Sequence, residues 1–109
     1  MSCFHLRLVF MILDHNDEAL ENNGSYSEEA DAQMLISVPK RCFKHAVDRN
    51  RVKRQVREAF RRHRDLYEIP EGKYLAMAFI WLDHQHHDSA EVEEKVANLL
   101  RRLGEKLAR

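Results

Sequence analysis

With three glycines in 109 residues, the chain has no glycine-rich loop of the kind whose backbone N–H groups cradle phosphates. Two cysteines, Cys3 and Cys42, are too few for a disulfide framework and lack zinc-ligand spacing, so reduced, inert thiols are expected. The longest apolar run, residues 75–82, is eight residues long, far short of the ~20 that span a bilayer. Ahead of the apolar residues 8–13 the only basic residue is Arg7, which does not make the charged start of a secretory signal. No nucleophile stands beside a base in a recognisable order. A cytoplasmic chain of one domain is expected, with no membrane contact, no small-molecule cofactor and no catalytic residues of its own.

Net charge is lacking too, because 18 Lys+Arg balance 18 Asp+Glu. The layout is far from neutral. Residues 1–39 hold one cation and seven acids, and residues 65–109 hold six cations and nine acids. Between them, residues 40–64 (KRCFKHAVDRNRVKRQVREAFRRHR) hold eleven cations against Asp48 and Glu58, a net of +9. A ligand feels charge within a Debye length of ~8–10 Å, so this layout matters more than the total. At ~3.6 residues per turn, Val52, Val56, Ala59 and Phe60 share one stripe, as the core side of a helix requires. Lys53, Arg54, Arg57, Arg61 and Arg64 gather on the opposite arc, with Asn50 among them. So many like charges on one rigid cylinder repel each other, and a polyanion that docks there is the simplest explanation.

The remaining elements follow from pattern. Residues 4–13, FHLRLVFMIL, read as a strand buried on at least part of both faces. Residues 14–31 form an acidic loop centred on Asn22, Asn23, Gly24 and Ser25, a long mobile hairpin connection. Its acids Asp14, Asp17 and Glu18 could hold a divalent cation, but a solvated loop explains them. Residues 34–38, MLISV, make a second strand antiparallel to the first, ended by Pro39. The basic helix spans 46–67 and stops before Pro70. After a turn at Glu71 and Gly72, residues 73–82, KYLAMAFIWL, form a third strand central to the sheet. His84, His86 and His87 sit in residues 83–88, DHQHHD, expected to be a solvated loop and not a metal site. Asp88 and Glu91 form a capping box that opens a helix over 88–108, with Val92, Val96, Leu99, Leu100, Leu103 and Leu107 on its core side. The fold class is α+β: a small mixed β-sheet with helices on one face, in the order β-β-α-β-α.

Arg49, Asn50 and Arg51 are the most specific element. Guanidinium forks bind phosphate bidentately. Asn50 can meet an RNA 2′-OH or cap the helix start, and Arg49 can instead hold a buried carbonyl. Phe43 is either a core anchor or a stacking platform.

Residues 38–61, VPKRCFKHAVDRNRVKRQVREAFR, closely resemble the RNR motif of the protein subunit of bacterial ribonuclease P. Ala46, Val47, Arg49, Asn50, Arg51, Lys53, Arg54, Arg57, Glu58, Ala59, Phe60 and Arg61 match in register, and a weaker likeness covers residues 4–107. The resemblance implies a strand–helix–strand crossover of left-handed sense, against the usual preference. It also implies a fold like a domain of a small-subunit ribosomal protein and of a translocation elongation factor. Catalysis would belong to an RNA subunit working with Mg2+ bound mainly by that RNA. The protein would bind the ribonuclease P RNA and the 5′ leader of precursor tRNA, with Lys40, Arg41, Lys44, Arg49, Asn50, Arg51, Lys53, Arg54, Arg57, Arg61 and Arg64 on RNA. Phe10 is the match to the wall of the leader cleft. Family members usually begin with a basic segment and a helix bearing a second cleft phenylalanine, so a shortened or misassigned start is expected. Cys42, Phe43 and Asp48 also depart from the common pattern, and one extra residue lies between Val38 and Ala46. A structural RNA binder of ribosomal-protein type, or a protein-only metal nuclease using the loop acids, would be the alternatives.

Overall fold

The computed structural model describes residues 2–3, 5–14, 26–28 and 32–108. In chain order the elements are β1 (Ser2–Cys3), β2 (Leu6–Asp14), β3 (Tyr26–Glu28), β4 (Ala32–Ser37), α1 (Ala46–Arg62), a short 3-10 turn (Arg64–Leu66), β5 (Lys73–Trp81) and α2 (Ser89–Leu107). The sheet runs β1-β2-β5-β4-β3. β5, the most apolar strand, is central as expected, so its backbone groups are paired on both edges. It is antiparallel to β2 from Leu6↔Trp81 to Asp14↔Lys73. It is parallel to β4 from Ala32↔Leu75 to Ser37↔Ile80.

Two expectations are corrected by this order. β2 and β4 are not hydrogen-bonded partners; β5 lies between them, because the α1 crossover carries the chain back parallel to β4. The first strand is also divided. Ser2 and Cys3 fold back on Arg7 and Leu6, with His5 at the turn in the left-handed region (φ 72°). That region costs an L side chain energy, though histidine adopts it more readily than most. The His5 carbonyl accepts the Leu82 N–H at 2.8 Å, fixing the turn to the end of β5. Most of the acidic loop, with Asp17 and Glu18, lies outside the described residues. Within that span residues 26–28 pair with β4 as a strand.

Both helices pack on one face of the sheet. Leu6 and Leu8 of β2, Met34 and Ile36 of β4, and Leu75, Phe79 and Trp81 of β5 join Val52, Val56, Phe60, Val92, Val96, Leu99, Leu100 and Leu103 in a single core. Among the described residues no helix lies over the other face. There Val9 is 46% and Met11 57% exposed, so β2 is not buried on both sides. Alternation alone sends these apolar side chains to whichever face the second layer leaves open.

The basic helix ends five residues earlier than its pattern suggests. The His63 N–H bonds to the Phe60 carbonyl at 3.1 Å, Leu66 bonds to His63 at 3.2 Å, and this tighter turn brings Leu66, Tyr67 and Ile69 against the core. Gly104 of α2 makes room for it. A Cβ there would run into the Leu66 carbonyl oxygen and sit 3.4 Å from the Tyr67 Cα. Gly104→Ala therefore forces backbone apart, an overpacking cost of about 1–3 kcal/mol against roughly 1 kcal/mol gained in helix propensity. The urea midpoint should fall; a variant as stable as the parent would show that the turn is not seated on α2.

Asp88 caps α2, its Oδ1 accepting the Glu91 N–H at 2.8 Å. The Glu91 carboxylate turns to other partners, His87 Nδ1 at 2.9 Å and Lys95 Nζ at 3.8 Å. His87 is far from solvated: its Nε2 hydrogen-bonds Asp83, and its ring lies 5.8 Å from Trp81 and 5.9 Å from His5. The Asp83 hydrogen bond raises the His87 pKa, with Glu91 adding to it and burial opposing. Burial pushes the Asp83 carboxyl up, but the bonds from His87 and the Gln85 N–H and the nearby His5 and His87 charges outweigh it, leaving it low. The His87 contribution is thus complete below an ordinary value near ~6.5 and is lost as pH rises through its raised folded value. The Asp83 contribution is present above ~3.9 and is lost as pH falls through its lowered one. Urea midpoints of the parent and His87→Gln should accordingly converge as pH is raised from 6 to 9. A gap that stays constant would rule out this pair as the source.

Candidate nucleic-acid interface

Along α1 the stripe Val52, Val56, Ala59 and Phe60 is buried, which turns the opposite arc to solvent. Asn50, Arg51, Arg54, Arg57 and Arg61 are exposed there and Lys53 is half-buried. Lys40, Arg41 and Lys44 are exposed on the segment leading into the helix. That segment is shaped by Pro39, whose carbonyl accepts the Cys42 N–H at 3.0 Å and the Phe43 N–H at 3.4 Å. Arg64 is exposed on the 3-10 turn.

What the cations touch decides what they can do. Among the described residues, Lys40, Arg41, Lys44, Arg51, Lys53, Arg54 and Arg57 make no ion pair with an acid. Glu58 draws Arg61 (3.2 Å) and Arg62 (3.3 Å) to its own side, and Arg62 also reaches Glu93 of α2 at 3.5 Å. His63 Nε2 meets Glu93 at 2.9 Å. The acids of this region are thus concentrated at the seam between the helices, and the middle of the arc stays cationic. Gln55 belongs to the seam as well, its Nε2 donating to the His87 carbonyl at 2.9 Å and Ser89 Oγ at 3.3 Å.

Arg49 is only partly directed outward. Its Nη1 donates to the Phe43 and Lys44 carbonyls, both at 2.9 Å, so it braces the helix entry. Asn50 is not the cap; the N-cap position is His45, with no side-chain hydrogen bond. Phe43 is buried and stacks on His86 with ring centroids 4.3 Å apart, so it anchors the core edge. His86 in turn reaches Asp48 Oδ1 at 3.1 Å. Of the three histidines only His84 is exposed. Nothing within 83–88 signals the Asp48 tie, because its partner lies 38 residues away.

The second candidate feature is the uncovered sheet face. A shallow trough of about 210 Å³ runs across its middle, bordered by Val9, Phe10, Met11, Gln33, Leu35, Ala76, Met77 and Ala78. Phe10 stands opposite Met77 in register and packs, partly buried, against the core. By alternation, Val9, Met11, Leu35, Ala76 and Ala78 direct their side chains into the trough.

The sequence profile of the family described as Ribonuclease P matches residues 4–104. The chain belongs to the ribonuclease P family. The ribonuclease P protein components of two strains of Porphyromonas gingivalis are 39% identical to it over 83 residues, covering 73% of this chain and 61% of each relative. It therefore spans about three-fifths of the length of those relatives. That of Thioalkalivibrio sulfidiphilus is 52% identical over 33 residues, 30% of this chain and 28% of its own length. Among solved structures, the RNase P protein from Thermotoga maritima superposes with a TM-score of 0.65 at 25% identity, over 94% of this chain and 80% of that one. The family's α+β fold is what the described residues adopt. No helix among them is long and apolar enough to cross a membrane.

Proposed function

We propose that this chain is the cytoplasmic protein subunit of a ribonuclease P holoenzyme, assisting endonucleolytic removal of the 5′ leader from precursor tRNA. The observation that carries this reading is the row of guanidinium groups, Arg51, Arg54 and Arg57, unpaired with acids among the described residues, on a helix anchored by Val52, Val56 and Phe60. Bidentate arginine–phosphate bonds would neutralise the catalytic RNA there. Lys40, Arg41 and Lys44 extend the same surface, and Arg61 and Arg64 continue it toward the helix end. On the uncovered sheet face, the apolar trough offers unpaired leader bases a floor to lie against, and Phe10 supports that floor from the core side.

The protein's part is electrostatic and positional: cations lower the repulsion between two polyanions as they approach. Among the described residues no three His, Cys, Asp or Glu side chains converge as a metal ion would require. In this reading Mg2+ is bound mainly by the RNA.

The deciding experiment is precursor tRNA cleavage by a bacterial ribonuclease P RNA at low Mg2+, with and without the protein. Stimulation is expected. A chain that binds RNA yet gives no stimulation would be a structural RNA binder, and cleavage by the chain with no catalytic RNA present would make it a nuclease in its own right.

A further inference from the structure

An acid in the first turn of a cationic helix suits the helix dipole but opposes a polyanion, unless something masks it. Asp48 is such an acid, with its side chain 41% exposed. Among the described residues it is held by His86, on the segment between β5 and α2, whose Nε2 donates to Asp48 Oδ1 at 3.1 Å. His86 Nδ1 is buried with no partner among the described residues, so the Asp48 bond is what fixes the ring's polar side. The ring itself lies nearly flat on Phe43, at 16°. The Phe43 and Lys44 carbonyls receive both hydrogen bonds from Arg49 Nη1. The entry to α1 is thus gripped twice: Arg49 holds its carbonyls, and His86 holds its aromatic ring and its acid.

We infer that His86 is a positioning residue of the RNA-binding face, holding one oxygen of the Asp48 carboxylate and so partly masking it from a phosphate backbone at the start of α1. The inference rests on the RNA-binding reading of α1.

His86→Phe tests it, since phenylalanine keeps a ring on Phe43 but has no donor for Asp48. Binding is measured to a bacterial ribonuclease P RNA transcript and, as a generic polyanion, to heparin, across a salt series and below each variant's melting temperature. His86→Phe should bind the transcript about threefold to fivefold more weakly at low salt, the scale of one partly exposed charge interaction. The deficit should shrink as salt rises. Adding Asp48→Asn to His86→Phe should recover most of the loss, and His86→Gln, which retains an N–H donor, should lose less than His86→Phe. Unchanged binding in His86→Phe, or a loss that Asp48→Asn does not relieve, overturns the inference, because a purely structural role would be indifferent to the charge on residue 48. If the phenylalanine variant does not fold, His86→Ala takes its place with the same two outcomes. A parent chain that fails to bind the transcript defeats the functional reading instead, and the order of elution from heparin then still decides whether Asp48 is masked.

Discussion

Reversing two charges, Arg54→Glu with Arg57→Glu, should weaken binding to ribonuclease P RNA by about a hundredfold or more near physiological salt. The melting temperature should stay where it is or rise slightly. Both side chains are exposed, both lie across the helix from buried Val52 and Val56, and neither is paired with an acid among the described residues. Nothing in the core changes. The folded state also loses like-charge repulsion, since residue 57 stands four positions before Arg61 and residue 54 three after Arg51. Binding has no such compensation. If about six phosphates are neutralised by the parent, log affinity falls against log salt with a slope near −4 to −5, at ~0.7–0.9 per contact. The variant should flatten that slope by about two such contacts and add direct repulsion. Filter binding from 50 to 300 mM salt measures the slope, and circular dichroism measures the fold. An unfolded variant would mean that the two faces of α1 are assigned the wrong way round, and an unchanged slope would move the RNA elsewhere on the molecule.

Those two faces were legible in the sequence because a helix writes its burial locally, every three to four residues. The Val52–Val56–Phe60 stripe and the Val92–Leu99–Leu103 stripe of α2 are both where their periods place them. The centrality of β5 was legible for a similar reason, since an almost unbroken apolar run suits the interior of a sheet better than its margin. Strand pairing was not. Whether residues 34–38 lie beside β2 or beyond β5 depends on the path of the crossover, and no residue of either strand records it. The open face of β2 was hidden by the same limit: Val9 and Met11 have the composition of core residues, yet both helices among the described residues pack on the opposite face and leave them exposed. Within the site, the cations were found by charge and a carbonyl was one of the two partners open to Arg49, but Asp48 is defined by a partner that sequence proximity does not reveal. Arg49 folds back onto carbonyls that precede it, and Asp48 meets a histidine on the far side of β5.

Phe60→Ala should be the most damaging single change to the scaffold. The ring is 3% exposed. It meets Phe79 of β5 edge-on at 6.3 Å and stacks with Tyr67 at the same centroid distance, so one side chain joins α1, the sheet and the segment after the 3-10 turn. Truncation costs about 3–5 kcal/mol from lost burial and the cavity left behind, out of a total that is typically 5–15 kcal/mol. At roughly 4–8 °C per kcal/mol for a domain of this size, the melting temperature should drop by about 15–30 °C. The single tryptophan, Trp81, lies in the same core at 1% exposure, so its fluorescence follows the transition even when RNA is present. RNA should also return part of the loss. Only a folded α1 aligns the cations, so a catalytic RNA at a hundred times its Kd for the variant should stabilise the folded chain by about 2.7 kcal/mol and raise the melting temperature measurably. Recovery with ribonuclease P RNA and none with an equal mass of an unrelated duplex RNA would tie the scaffold to a specific partner. Equal recovery with both would reduce the surface to a general polyanion binder, and no recovery with either would mean that α1 does not need Phe60 to meet RNA.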